Sequence, residues 1–126
     1  MLVVWVAVAG AFGALARWGI GVWLGQRLGI TFPWGTLAAN LVGCFLIGVV
    51  LEATERAGLL PGTTRLIIGV GFIGAFTTFS TFEFETLQLF RRGAVLLGGI
   101  NFAANVLLGY FLLWLGGELV ARMIRA

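Results

Sequence analysis

Four apolar stretches, each long enough to cross a bilayer, take up nearly all of this 126-residue chain and leave it few folds to choose from. A helix rises 1.5 Å per residue, so about 20 apolar residues span about 30 Å of hydrocarbon. The stretches run from about Leu2 to Leu24, Pro33 to Leu51, Thr64 to Phe90 and Ala94 to Leu119. Arg17 alone interrupts the first, and Thr36 and Asn40 are the only clearly polar members of the second. The connections are short: Gly25 to Phe32, then Glu52 to Gly62 with Gly58 and Pro61 as breakers, then the tight turn Arg91-Arg92-Gly93. Little is left over for a soluble domain. The pattern predicts a single all-α membrane domain over residues 1–126, with four transmembrane helices per subunit. The N-terminus has no basic n-region and its first span is too long for a signal-peptide core, so no cleavable leader is expected.

Composition narrows the chemistry. Charged residues make up 10% of the chain, against about 25% in soluble domains. The 20 glycines predict helices that approach closely through small residues. There is no histidine, and the one cysteine, Cys44, lies in an apolar run; it reads as a small buried residue. No nucleophile–base pair, metal motif of cysteine or histidine, or phosphate-binding loop is present, so the chain is not expected to be an enzyme or to hold an organic cofactor. All eight positive charges are arginines, scattered singly or in one pair, which is no footprint for nucleic acid.

The third stretch is the unusual one. Gly69, Gly71 and Gly74 each weaken a helix by about 1 kcal/mol relative to alanine. Thr77, Thr78, Ser80 and Thr81 follow, offering hydroxyls to freed backbone groups. A helix broken here lies near the bilayer midplane. Backbone that leaves the helix at that depth must be buried in protein or line a polar cavity. Bared carbonyls suit a hard cation such as Na⁺, and amides and hydroxyls suit an anion; a merely kinked helix is the plainer alternative. Phe72 and Phe76 read as packing residues. Phe79 and Phe82 interleave with the hydroxyls, where their positive ring edges could line an anion path. Conduction needs weak, repeated contacts rather than one deep trap.

Other polar residues inside the spans join this list. Asn40 and the pair Asn101 and Asn105 supply amide donors and acceptors, or serve as interhelical glue. Arg17 draws an anion inward or snorkels to the headgroups. Glu85 falls about 12 Å beyond the midpoint of the third span, with Glu83 closer to the middle. Arg56, Arg65, Arg122 and Arg125 face one side if loops alternate, and Arg27, Arg91 and Arg92 the other. Arg17 evens the count if it snorkels outward. That balance gives almost no preferred orientation, which suits either weak topology signals or insertion both ways with antiparallel self-pairing.

The run Gly74-Ala75-Phe76-Thr77-Thr78-Phe79-Ser80-Thr81-Phe82, followed by Glu85-Thr86, resembles the Fluc (CrcB) family of fluoride channels. So do Gly13-Ala14-Leu15-Ala16-Arg17-Trp18 and Trp34-Gly35-Thr36-Leu37-Ala38-Ala39-Asn40-Leu41-Val42-Gly43, and the likeness covers essentially the whole chain. The resemblance implies a dual-topology, antiparallel homodimer in the cytoplasmic (inner) membrane, with two pores passing F⁻ out of the cell. It implies a structural Na⁺ at the dimer interface, held by the backbone carbonyls of Gly74 and Thr77. It places the ion pathway at Asn40, Phe79, Ser80, Thr81 and Phe82, continuing along Asn101 and Asn105, with Arg17 and Glu85 nearby. Asn101, Asn105 and Gly109 depart from members with tyrosine, serine or another hydroxyl in the fourth span, and Ala75 replaces a frequent glycine. Two rivals are a four-span proton-coupled exporter, which would need a proton-exchanging carboxylate such as Glu83 or Glu85, and a non-transporting membrane assembly factor.

Overall fold

The computed structural model describes all 126 residues and is entirely helical. Helix α1 covers Leu2–Leu28. Helix α2 covers Trp34–Leu51 and continues in wider π-type turns through Arg56. The third span is made of two helices, α3 over residues 62–76 and α4 over Phe79–Arg91. Helix α5 runs from Val95 to Arg125, with a π-type segment at Ala104–Leu108. The four spans Leu2–Leu28, Trp34–Arg56, Gly62–Arg91 and Val95–Arg125 are all long and apolar enough to cross a membrane.

Local chemistry sets the ends. Pro33 precedes α2, where its missing N–H costs nothing. Gly93 turns α4 into α5 with φ 78, a left-handed conformation that residues with a Cβ rarely adopt. Thr78 caps α4: its hydroxyl accepts from the Thr81 N–H at 3.2 Å.

Glycine lets the helices touch. A Cβ on Gly48 would run into the Leu113 carbonyl, and one on Gly116 into the Phe45 carbonyl, so α2 and α5 pack backbone to backbone. Gly13 meets the Phe72 carbonyl and Gly71 meets Val6 and Ala9, which locks α1 onto α3. Gly35 lies against Gly21 between α2 and α1. Without a hydrophobic drive between helices in lipid, such close approach is a main source of adhesion. Only 19 of the 126 residues are buried, and Trp5, Phe12, Trp18, Leu107 and Tyr110 point outward. An outer surface of this kind is covered by hydrocarbon chains rather than water.

The third span breaks near its midpoint, as expected, but not at its glycines: Gly69 and Gly71 lie in wide π-type turns over Arg65–Ile73, and Gly74 is helical at φ −61 and ψ −34. Their use is spatial, since Gly69 accommodates Ile47 and Gly71 accommodates α1. The helix instead stops at the two residues after Phe76.

Candidate functional site

Thr77 and Thr78 are both extended, at φ −87, ψ 158 and φ −152, ψ 118. An uninterrupted α-helix would bond the Thr78 N–H to the Gly74 carbonyl four residues back. Here the Thr78 N–H donates to Asn40 Oδ1 at 2.8 Å. Asn40 Nδ2 donates in return to the Thr78 carbonyl at 3.1 Å. One amide side chain thus satisfies both polar groups of the residue that leaves the helix. In lipid, each of those groups left bare would cost several kcal/mol, so Asn40 holds the break open.

The end of α3 is secured from a second side. Arg17 Nε donates to the Ala75 carbonyl at 3.2 Å, across from α1. A cation at a helix C-terminus satisfies a terminal carbonyl and complements the negative end of the helix dipole. Arg17 is thus tied through Nε to the end of α3 and is only partly exposed. With Ala75 taken by Arg17 and the Thr78 N–H taken by Asn40, the Gly74 carbonyl is deprived of its usual helical donor. The Thr77 hydroxyl is spent on the Ile73 carbonyl at 2.9 Å, so what Thr77 can offer an ion is its backbone oxygen.

A string of amides leads away from Asn40. Its Nδ2 also donates to Asn105 Oδ1 at 2.8 Å. Asn105 Nδ2 donates to the Asn101 carbonyl at 2.9 Å and to Asn101 Oδ1 at 3.1 Å. Asn101 Nδ2 donates to Thr86 Oγ1 at 2.8 Å, and the Thr86 hydroxyl donates to the Phe82 carbonyl. Asn101 and Thr86 are buried. Asn105 lies in the π-type segment of α5, a distortion that often accompanies function.

A cavity of about 420 Å³ opens at the break, lined by Asn40, Gly74, Thr77, Thr78, Phe79 and Asn105 among others. Phe82 also lines it and is only 2% exposed, whereas Phe79 is 73% exposed on the subunit surface. The two rings meet edge-on, with centroids 5.6 Å apart and planes at 67°. Ser80 is exposed and makes no side-chain hydrogen bond, and Thr81 shares its hydroxyl with that of Thr78 at 3.0 Å. Glu85 stands apart from the cavity: its Oε1 accepts from the Thr36 hydroxyl at 2.9 Å, and its Oε2 is buried with no partner.

The structure thus gathers Asn40, Phe79, Phe82, Asn105, Gly74 and Thr77 around one cavity, which Ser80 and Thr81 do not line; Asn101 joins it through Asn105, and Arg17 and Glu85 contact the chain before and after the break. The Thr78 hydroxyl takes up a freed backbone N–H, as its residue type predicts, whereas the clasp on its backbone and the Thr36 contact to Glu85 are not predicted. Thr36 lies one helical turn before Asn40, so its spacing already put both on one face of α2. Thr78 is the first helix-capping residue after the glycines.

Fold and site together define a class: a multi-pass membrane protein whose polar groups converge inside the spans, around unwound backbone, with no catalytic grouping. Residues 4–117 match the family model described as CrcB-like protein, Camphor Resistance (CrcB). The chain belongs to the CrcB family. It is 48% identical over 124 residues to the fluoride-specific ion channel FluC of Acidobacterium capsulatum, covering 98% of this chain and 99% of that one. It is also 42% identical over 121 residues to the FluC of Citrifermentans bemidjiense, covering 96% and 97%. To that of Rhizobium etli it is 48% identical over 101 residues, covering 80% and 81%. The family is one of ion channels rather than enzymes, and the protein is a multi-pass protein of the inner membrane.

Proposed function

We propose that this protein is a passive fluoride channel that lets F⁻ leave the cytoplasm, working as an antiparallel homodimer with two pores. The observation that carries this reading is the Thr77–Thr78 break, clasped by Asn40 and opening on a cavity that also holds Phe79 and Phe82. The fluoride-specific relatives, alike over almost the whole chain, supply the ion.

The arrangement suits a small, strongly hydrated anion. Phenyl edges carry partial positive charge, so the ion meets attraction without a fixed cation that would trap it. Ser80 and Thr81 add hydroxyl donors at the same level. Phe79 lies on the open surface of a single subunit, and a second copy of the chain laid across this face would enclose it. The balanced arginines allow that copy to insert the other way up.

The donor set also fits a structural Na⁺. The Gly74 carbonyl has lost its helical donor, the Thr77 hydroxyl is occupied, and both residues line the cavity. Backbone oxygens are suitable ligands for a hard cation. Gly74 and Thr77 of each subunit would hold the ion between them, and it would tie the two broken helices together. The residues of this chain do the rest: Asn40 fixes the opening, Arg17 caps α3, and the phenylalanines line the route.

Purified protein in liposomes loaded with KF should release F⁻ once a potassium ionophore balances the charge, with no proton gradient. Chloride-loaded liposomes should retain Cl⁻. Vesicles that keep F⁻, or release it only against a proton gradient, would refute the proposal.

A further inference from the structure

Helix α4 has a polar face that the network around Asn40 does not use. At about 100° per residue, Thr81, Glu85, Gln88 and Arg92 fall within an arc of about 60°. Thr86 lies about 140° from Thr81, turned toward α5, where Asn101 bonds to it. The helix therefore presents two polar faces, and they have different fates. The amide string is closed at its Thr86 end, where Asn101 is 1% exposed, and opens at Asn40 and Asn105, which line the cavity at the break. The second face opens on a cavity of about 290 Å³ under the α1–α2 connection, lined by Thr31, Thr36, Glu85, Gln88 and Arg92 among others.

Resting on the channel reading above, we infer that this cavity is the outer mouth of the ion route, and that Gln88 and Arg92 draw the anion past Glu85. Two observations beyond the cavity carry the inference. Glu85 Oε2 is buried with no protein partner, on a residue whose other oxygen is fixed by Thr36 and which lines the cavity. A carboxyl group alone at this neck would repel an anion, so the route needs compensating positive potential. Arg92 provides it: of the five arginines that pair with no glutamate, Arg17, Arg27, Arg91, Arg92 and Arg125, it alone lines this cavity. It lies seven residues beyond Glu85, about 10 Å along the helix and so about one screening length at 0.1 M salt. Gln88 stands between them and offers amide donors that carry no charge. Arg91, next in the chain, does not line the cavity.

Fluoride efflux from liposomes, read with an ion electrode at low and high concentrations of an impermeant salt, tests the assignment. Arg92→Gln should slow the initial rate several-fold at low salt, with the gap narrowing at high salt. Arg91→Gln should match the parent protein. An Arg92→Gln rate equal to the parent at both salt levels would overturn the inference, and so would an equal loss in Arg91→Gln. Should Arg92→Gln fail to yield folded protein, Gln88→Glu decides: added negative charge in the cavity should slow efflux more than Arg91→Glu does, and an equal effect overturns the inference. A parent protein that releases no F⁻ refutes the channel reading instead, so the two failures are told apart.

Discussion

The two halves of the third span are built on opposite principles. Helix α3 is apolar and glycine-rich; the space at Gly71 is taken by α1 and that at Gly69 by the side chain of Ile47. Helix α4 is aromatic and polar, and its side chains face hydrogen-bond partners, cavities and the open surface. In the proposed channel, the first half anchors the span and the second half lines the anion route. The boundary between them is set by a side chain from a different helix, Asn40, rather than by the glycines. Flexible residues do not by themselves make a break in a membrane helix; a partner for the freed peptide groups does.

Substitutions can break this comparison. The largest effect is expected in α3: Gly71→Val would push into the Val6 carbonyl and Ala9, and close helix contacts do not tolerate added volume. Size-exclusion chromatography in detergent should show aggregated or absent protein. Next comes Asn40→Leu, which removes three hydrogen bonds and leaves the Thr78 N–H and carbonyl bare. Fluoride efflux should fall by about tenfold or more, given several kcal/mol of unpaired backbone, and normal flux would show that the clasp is dispensable. Replacing Phe79 or Phe82 with Ile should preserve the dimer and cut F⁻ flux several-fold, because the positive ring edges are lost; unchanged flux counts against the aromatic role.

The smallest effects sharpen the contrast. Gly74→Ala should give folded protein in near-normal yield, since a Cβ there meets nothing closer than the Gly69 carbonyl at 3.6 Å. A collapse like that of Gly71→Val would mean that Gly74 serves packing as well. Thr77→Ala should leave efflux within about twofold, because its hydroxyl only bonds back to Ile73, a bond worth about 1 kcal/mol. Loss of Na⁺ dependence in that variant would transfer the role to the hydroxyl.

Much of this was legible in the residues. Four apolar runs with short polar joints announce four membrane helices, because lipid permits no other cheap arrangement of that backbone. Asn40, Asn101 and Asn105 stand out in the sequence as costly polar groups in apolar surroundings. Who bonds to whom was not legible. That Asn40 faces Thr78, 38 positions on, depends on how α2 and α4 are juxtaposed by glycine contacts elsewhere. The partner of Arg17 is illegible for the same reason: it is a backbone carbonyl, and every residue has one. Propensity describes an isolated helix, whereas here packing against α1 at Gly71 and against Ile47 at Gly69 keeps the glycine-rich stretch helical. The third-span seam at Gln88 and Arg92 has helical spacing that was open to inspection, but only the cavity beside it gives that spacing meaning.

In the proposed channel, ions are managed where Asn40 holds the Thr77–Thr78 peptides out of the helix. The most direct test is fluoride efflux measured side by side for the parent protein and Asn40→Leu, at equal dimer content in the same liposomes. Rapid F⁻ release from the parent and a rate near protein-free vesicles for the variant is the predicted result. Equal rates from the two would contradict the account.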